Sequence, residues 1–393
     1  MMKIRICRTF VLKFGSQRTL KIIAVLILFS TLGFHLTRMN IAENTQLKEP
    51  RNIDKDGKDY GGKRQVIPSY SENENLILIY KTPSWLLKTT KSSNFIQCEI
   101  SNCILTEDTK LLRFSKAVIF HGRFLPEDAP FKYENQFWVF LELESPYYTP
   151  LNYSYPQWRK SFDLTMTYRS DSDIFYPYGR IVKKENNTIV PLNHIEIMSK
   201  KEKMAFWMVS HCGAISERDE YAKRLQQYIP VDIYGKCGTL SCTKNILKCY
   251  MELSNIYKFY FAFENSLCED YYTEKIYFSY YKDVNMIAIV RGASGYSKYF
   301  PPGTYIDTAD FKHPKDLANF LLDLNSDDEK YLAYLKRKNE YKNSITLAEM
   351  FKKSLCDLCR IVNKKSKTSK QIDIKEWILE SKCYQATDLN DGI

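Results

Sequence analysis

The sequence predicts an α/β protein of two domains, each a parallel sheet wrapped by helices, with a ligand cleft between them. Beyond Lys201, apolar runs of strand length alternate with helical segments. Before it, four further strand-like runs are separated by turn-rich stretches. At 393 residues, 44% of them hydrophobic, the chain is long enough for one to three domains whose cores need no metal.

From the amino end, the first segment is basic. The formal charge is +11, and Lys3, Arg5, Arg8, Lys13, Arg18 and Lys21 supply +6 of it with no acid among residues 1–21. The remainder is spread without stripes, which argues against a nucleic-acid groove. Next comes Ile22 to Thr37, an apolar run with no charge before Arg38. Positive charge on one side of a lone apolar segment holds that side in the cytosol. As a helix the run reaches ~24 Å, short for an average bilayer, a deficit that thin membranes and snorkelling by Lys21 and Arg38 absorb. A cleaved signal peptide is the alternative, but no small-x-small cleavage site follows before Asn40. The expected order is therefore a cytosolic tail (1–21), a transmembrane signal-anchor (22–37), a polar stem (38–74), a first domain (75–200), a second domain (201–362) and a loose basic tail (363–393).

An anchor of this orientation places everything after Arg38 in an oxidising lumen. Of eleven cysteines only Cys7 falls on the cytosolic side, which leaves an even number where disulfides persist. Two sequons, at Asn152 and Asn186, suit the same compartment.

In the first domain the strand-like runs are Leu76 to Tyr80, Ala117 to Phe120, Phe137 to Leu143 and Phe162 to Thr167. In the second, Met204 to Val209, Val231 to Tyr234, Lys258 to Phe263 and Val284 to Val290 read as strands. Ser216-Glu-Arg-Asp219 reads as a capping box opening a helix through Tyr228, which Pro230 stops. Thr273 to Tyr281, Asp316 to Leu324 and Asp328 to about Tyr341 read as helices, and the pattern ends in Cys356-Asp-Leu-Cys359. That CxxC could be a redox pair, half a zinc site, or a staple that ties the chain end to Cys98 and Cys103. The lack of a second CxxC, five histidines in all and an oxidising lumen favour the staple.

The densest polar cluster on an apolar background is Phe259-Tyr-Phe-Ala-Phe-Glu-Asn-Ser-Leu-Cys-Glu-Asp-Tyr-Tyr-Thr-Glu-Lys275. It reads as a buried strand, a loop, and a helix with Thr273 at its N-cap. A helix N-terminus at the carboxyl end of a parallel strand is an anion site, and Lys275 adds a full charge there. Glu274 suits sugar or ribose hydroxyls. An ordinary capped helix with a solvated lysine accounts for the same residues.

FAFENS followed by DYYTEK resembles the donor-binding signature of the α1,3/α1,4-fucosyltransferases. Further similar segments follow in family order: 164–179, 231–238 and 300–311. The resemblance covers about Cys98 to Cys359. It implies a GT-B-like fold of two Rossmann-like domains, an acceptor lobe first and a GDP-fucose lobe second. By position it makes Arg218 the phosphate-binding arginine and Asn265, Tyr271, Glu274 and Lys275 donor contacts. It makes Glu144, at the end of Phe140-Leu-Glu-Leu-Glu-Ser-Pro146, the general base, with Glu142 two residues earlier as its neighbour on the same face.

The resemblance further implies an inverting transfer of L-fucose from GDP-β-L-fucose to O3 of a GlcNAc in an N-glycan or related glycan. The setting is the Golgi lumen, on a single-pass type II membrane protein with no nucleic-acid partner. Asp171-Ser-Asp173 looks like a DxD metal motif but falls in the acceptor lobe, so no obligatory metal is expected and Mn²⁺ acts at most as a stimulant. A glycan-binding relative that has lost catalysis is the rival, disfavoured because a lectin has no use for a diphosphate clamp. Phe120-His-Gly-Arg-Phe124 departs from the His-His pattern by which vertebrate members discriminate acceptors, so the likeness does not extend to acceptor choice.

Overall fold

Long runs of Val, Ile, Leu and aromatic residues, buried on both sides, build two parallel sheets, as expected when helices cover both faces. The structure is a computed structural model that describes residues 74–81, 83, 86, 95–242, 245–292, 295–364 and 371–389, all within one compact unit spanning 70–393. The basic tail, the Ile22 to Thr37 run and all of the stem but Glu74 lie outside the described residues. Among the described residues no helix is long and apolar enough to cross a membrane.

The first sheet comprises β1 (Asn75–Tyr80), β2 (Cys103–Thr106), β3 (Ala117–His121), β4 (Phe137–Glu142), β5 (Leu164–Thr167) and β6 (Ile174–Phe175), in the order β2-β1-β3-β4-β5-β6. Every pairing in it is parallel. Strand alternation sends Ile77, Ile79, Ile119, Val139 and Leu141 to one core and Leu78, Val118, Phe120, Trp138 and Phe140 to the other.

A short strand β7 (Ile181–Lys183) leads to the second sheet: β8 (Lys203–Met208), β9 (Val231–Tyr234), β10 (Tyr257–Phe263), β12 (Ile287–Arg291) and β13 (Tyr305–Asp307). Its order, β13-β12-β10-β8-β9, is again wholly parallel. The strand direction of travel reverses between β8 and β10. Ligands of open α/β sheets bind beyond the carboxyl ends of the strands at such a reversal, here Met208 and Phe263. Helices of this lobe include α1 (Arg218–Leu225), α2 (Ile246–Ile256), α3 (Glu274–Phe278), α4 (Pro314–Ser326) and α5 (Asp328–Asn339). Two-stranded pairs join β11 (Leu267–Cys268) to β15 (Cys383–Tyr384) and β7 to β14 (Tyr341–Asn343).

Three sequence expectations are corrected. The predicted capping box does not form. Glu217, at φ 54°, stands before α1, which ends at Leu225 rather than Tyr228. Ser216 is buried, and its hydroxyl donates instead to the Glu264 carbonyl at 2.7 Å.

The second lobe does not keep residues up to 362. Helix α6 (Leu347–Lys364) returns to the first sheet, where Met350, Phe351, Leu355, Leu358 and Val362 pack with Ile77, Ile119 and Val139. These apolar residues recur at three- and four-residue spacing, so one stripe of the helix faces that core. Disulfides Cys98–Cys356 and Cys103–Cys359 fasten it there.

Nor is the chain end a loose tail over 371–389. Helix α7 (Ile374–Leu379) buries Ile374 and Ile378 beside Trp158 and Phe162 of the first lobe. Arg159 pairs with Asp373 at 2.6 Å and with Glu376 at 3.1 Å. The chain then crosses to the second lobe, where Cys383 bonds Cys268, Asp388 pairs with Arg291, and Leu389 joins the core. Lysines had masked three isoleucines at helical and strand spacing.

Since Ile374 is 0% exposed, Ile374→Ala should lower unfolding free energy by about 2–5 kcal/mol in urea melts. A tail that only hangs from the fold would give no change.

Candidate active site

Two loops meet beyond the carboxyl ends of β4 and β10. One leaves β4 and carries Glu144 to Thr149; the other leaves β10 and carries Glu264 to Thr273. They touch directly. Ser145 Oγ lies 2.6 Å from Ser266 Oγ, Asp270 accepts from Ser170 N at 2.9 Å and from Ser170 Oγ at 2.6 Å, and the Tyr271 hydroxyl donates to Glu144 Oε2 at 3.2 Å. Tyr271 is held for this by positive φ at Asp270 (62°) and by the rings of Tyr168 and Tyr178, with centroids 5.0 and 6.4 Å away. Burial raises its phenol far above the ordinary range, so it acts as a neutral donor.

Behind the second loop sits Glu264, 0% exposed at the end of a wholly buried strand. It accepts from Thr273 N at 2.8 Å, from Thr273 Oγ1 at 2.8 Å and from Lys275 Nζ at 2.9 Å. Thr273 therefore stands at the cap position of α3 with its hydroxyl turned to Glu264 rather than to the helix. Burial pushes the Glu264 carboxyl up and opposes the Lys275 ammonium, but Glu264 and Glu274 outweigh burial at Lys275 and hold it above its usual value. With three donors on one carboxylate, the pair is ionised. Glu274 is half-exposed, 3.5 Å from Lys275.

Arg218, the first residue of α1, is 4% exposed and reaches beneath the carboxyl ends of β8 and β10. It donates to the Phe263 carbonyl at 2.9 Å and the His211 carbonyl at 2.8 Å, while its Nε has no partner. Its charge opposes protonation of Lys275, so the two cations share one field. An anion between them would relieve that repulsion. Asn265 Oδ1 is likewise buried without a partner. The five residues expected on the donor side thus gather around the loop after β10.

On the other side Glu142 is 3% exposed. Its Oε1 accepts the N–H groups of Leu143 and Glu144, both at 2.9 Å, and its Oε2 has no hydrogen-bond partner. Burial, partly offset by those two N–H donors, drives its carboxyl up to about 7. His121 has Nδ1 3.9 Å from Oε2, and that nitrogen already accepts the Arg123 N–H at 3.2 Å. Burial and Arg123 hold His121 down at about 4, so it stays neutral.

Asp171 accepts from Arg169 Nε at 2.9 Å, and Asp173 accepts from Thr165 N at 2.9 Å. Among the described residues no group of three His, Cys, Asp or Glu side chains is arranged to hold a metal. All ten cysteines beyond Arg38 are paired, including Cys212–Cys237 and Cys242–Cys249. Asn186 is exposed in a tight turn, whereas Asn152 is half-buried and donates to the Leu125 carbonyl at 3.0 Å.

A wider cavity of about 730 Å³ opens at the amino ends of the same strands, against Lys201 and Lys338. The ammonium groups of both are spent on backbone carbonyls, at 2.8 Å from Tyr257 O and from Val284 O respectively.

Sequence reasoning gave Glu264 and Ser216 no role in the site. A carboxylate ending a wholly apolar strand, with a lysine eleven residues on, was the available signal.

Known proteins resemble the chain in sequence and in fold. Residues 72–179 match the family model described as "Fucosyltransferase, N-terminal", and residues 198–377 match "Glycosyltransferase family 10 (fucosyltransferase) C-term". The chain is 35% identical over 308 residues to alpha-(1,3)-fucosyltransferase C of Drosophila melanogaster, covering 72% of this chain and 70% of that one. It is 35% identical over 253 residues to human 4-galactosyl-N-acetylglucosaminide 3-alpha-L-fucosyltransferase FUT6, covering 60% and 65%. A crystal structure of an alpha1,3-fucosyltransferase with GDP-fucose shares the fold at a TM-score of 0.52 and 16% identity, over 79% of this chain and 96% of that one. On the strength of two family matches that together span most of its length, the chain belongs to glycosyltransferase family 10, the fucosyltransferases.

Proposed function

We propose that the chain transfers L-fucose from GDP-β-L-fucose to O3 of a GlcNAc residue in N-glycans or related glycans, forming an α1,3 linkage with inversion. The observation that carries this is the meeting of the two loops: a carboxylate, Glu144, on one side, held by Tyr271 of the facing loop, and a buried cation field, Arg218 with Lys275, on the other. In this reading the diphosphate sits over the carboxyl ends of β8 and β10. Lys275 spends bonds on Glu264 and Thr273 and keeps a third N–H for phosphate oxygen. Arg218 contributes charge from beneath, and Asn265 and Glu274 meet sugar or ribose hydroxyls. Fixed donors of this kind act most strongly where charge grows on the departing diphosphate.

Tyr271 orients Glu144 through Oε2 and leaves Oε1 to take the proton from the acceptor hydroxyl as it attacks C1 of fucose. The transition state is oxocarbenium-like. Glu142 lies beneath as a support for the shelf, since its Oε1 is spent on the backbone that carries Glu144. The charges at hand make an obligatory metal unnecessary in this mechanism. We place the protein as a Golgi type II membrane enzyme anchored by Ile22 to Thr37, a setting supported by the paired cysteines.

Glu144→Gln should lower kcat by about 10²–10⁴ while GDP affinity, measured by calorimetry, stays within about twofold. Normal turnover in that variant would remove Glu144 as base, and wild type that binds glycan yet never releases GDP would point to the lectin-like alternative. Exhaustive EDTA treatment should leave most of the transfer rate, and a rate recovered only with Mn²⁺ would require a metal in the mechanism.

Glu142 yields a pH prediction. The folded chain keeps its proton up to about 7 and the unfolded chain only to about 4.5. Between those values the folded state binds more protons, so stability is lost as pH rises through the window. Glu142→Gln should therefore gain on wild type by up to about 3 kcal/mol at pH 8 relative to pH 4. A difference in urea stability that does not change with pH would contradict the raised carboxyl.

A further inference from the structure

The two carboxyl oxygens of Glu142, the last residue of β4, have different surroundings. Oε1 accepts the N–H groups of Leu143 and Glu144, while Oε2 is buried with no hydrogen-bond partner. Gly122 leaves room beside it, since a Cβ at that position would lie 2.6 Å from Oε2. A buried oxygen in this state carries an uncompensated desolvation cost unless a water serves it.

Glu142 and Glu144 both line a half-open notch of about 20 Å³, together with Thr167, Arg169, Trp377 and Ser381. That volume exceeds the roughly 10–15 Å³ that one water needs and falls short of two. Other polar atoms of the wall are already engaged. Thr167 Oγ1 lies 2.6 Å from Ser172 Oγ, Ser381 Oγ accepts from Arg169 at 2.9 Å, and Arg169 Nε donates to Asp171 at 2.9 Å. Since Glu144 Oε2 accepts from Tyr271, a water in the notch finds its open acceptors on Glu142 Oε2 and Glu144 Oε1.

Resting on the reading of Glu144 as the base, we propose that one water in this notch joins Glu144 to Glu142, and that Glu142 is a positioning residue that draws off the proton Glu144 takes from the acceptor. As the acceptor oxygen bonds to C1 of fucose, the bond from C1 to the diphosphate breaks and its electron pair leaves on GDP. The hydroxyl proton passes to Glu144. It then moves to the water, which gives its own proton to Glu142 Oε2. Glu142 returns that proton to solvent through the open side of the notch, and Glu144 is ready for the next acceptor.

The charges around Glu142 set the direction of this transfer. Arg123 favours its ionised form and Glu144 opposes it. His121 is neutral, burial keeps the Tyr168 and Tyr178 phenols neutral, and Arg169 is answered by Asp171. The strap contributes Trp377, Ile378 and Ser381, none of them charged. Burial dominates and lifts the Glu142 carboxyl to about 7, so a proton on it is held more firmly than on an ordinary carboxylate. Only ionised Glu142 can receive a proton, so the relay is lost as pH falls through that value.

The test measures kcat of the full-length chain from pH 7.5 to 6.0 with saturating GDP-fucose and a GlcNAc-terminated glycan, with folding checked by circular dichroism at each pH. Wild-type kcat should fall roughly tenfold across the range, following the ionised fraction of Glu142. Glu142→Gln, whose amide oxygen still accepts the two N–H groups of the shelf, should lie roughly tenfold below wild type at pH 7.5 and change less than about twofold with pH, with acceptor KM and GDP affinity unchanged. Glu142→Asp keeps a titrating carboxyl and should keep the fall with pH, and it serves if the glutamine variant does not fold. A flat wild-type profile, or a Glu142→Gln variant with wild-type kcat or the wild-type fall, would overturn the relay, because a purely structural Glu142 gives no such difference. Wild type that transfers no fucose at any pH, or Glu144→Gln with normal turnover, would instead refute the reading on which the relay rests.

Discussion

One buried carboxylate organises the loop after β10. Glu264 binds Lys275 and Thr273 through its side chain, accepts the Ser216 hydroxyl on its carbonyl, and donates its N–H to the Arg291 carbonyl at 2.8 Å. The start of α3, the residues that lead into α1 and the end of β12 are all registered on it. A buried carboxylate without its cation costs several kcal/mol, so α3 has little freedom to turn Lys275 elsewhere. Arg291 extends the constraint to the chain end through Asp388 and packs over the Tyr221 ring at 4.3 Å.

The two lobes are not independent bodies joined by a hinge. Helix α6 and the first part of the strap belong to the core of the first lobe, although they follow the whole of the second in sequence. Disulfides close loops of more than two hundred residues at Cys98–Cys356 and Cys103–Cys359, constraining the unfolded chain as well as the folded one. Cys268–Cys383 then pins the strap to the loop that carries Tyr271. The shelf that carries Glu144, the tyrosine that reaches it and the strap beside it are thus tied together by covalent and buried polar contacts.

Much of the architecture was legible without coordinates. Val, Ile and Phe runs at 76–80, 117–120, 137–143, 204–209 and 258–263 are almost wholly buried, so apolar continuity alone identified them as strands. Short edge strands such as β2 and β6 escaped notice because few residues with mixed burial carry little periodic signal. Of the site, Lys275 stood out as a charge at a helix N-terminus, whereas Glu144 and Arg218 were named through family likeness. Charge alone does not mark those two locally, because a solvated side chain has the same composition.

By itself the sequence determined the two parallel sheets and which residue types end the strands, since burial and backbone preference act over neighbours in the chain. Only the tertiary structure decided that Ser216 serves Glu264 instead of a helix cap, that Tyr271 reaches Glu144, and that residues 371–389 bind down across both lobes. Each of those outcomes depends on a partner tens to hundreds of residues away, and a polar side chain chooses among competing partners by which one burial leaves unsatisfied.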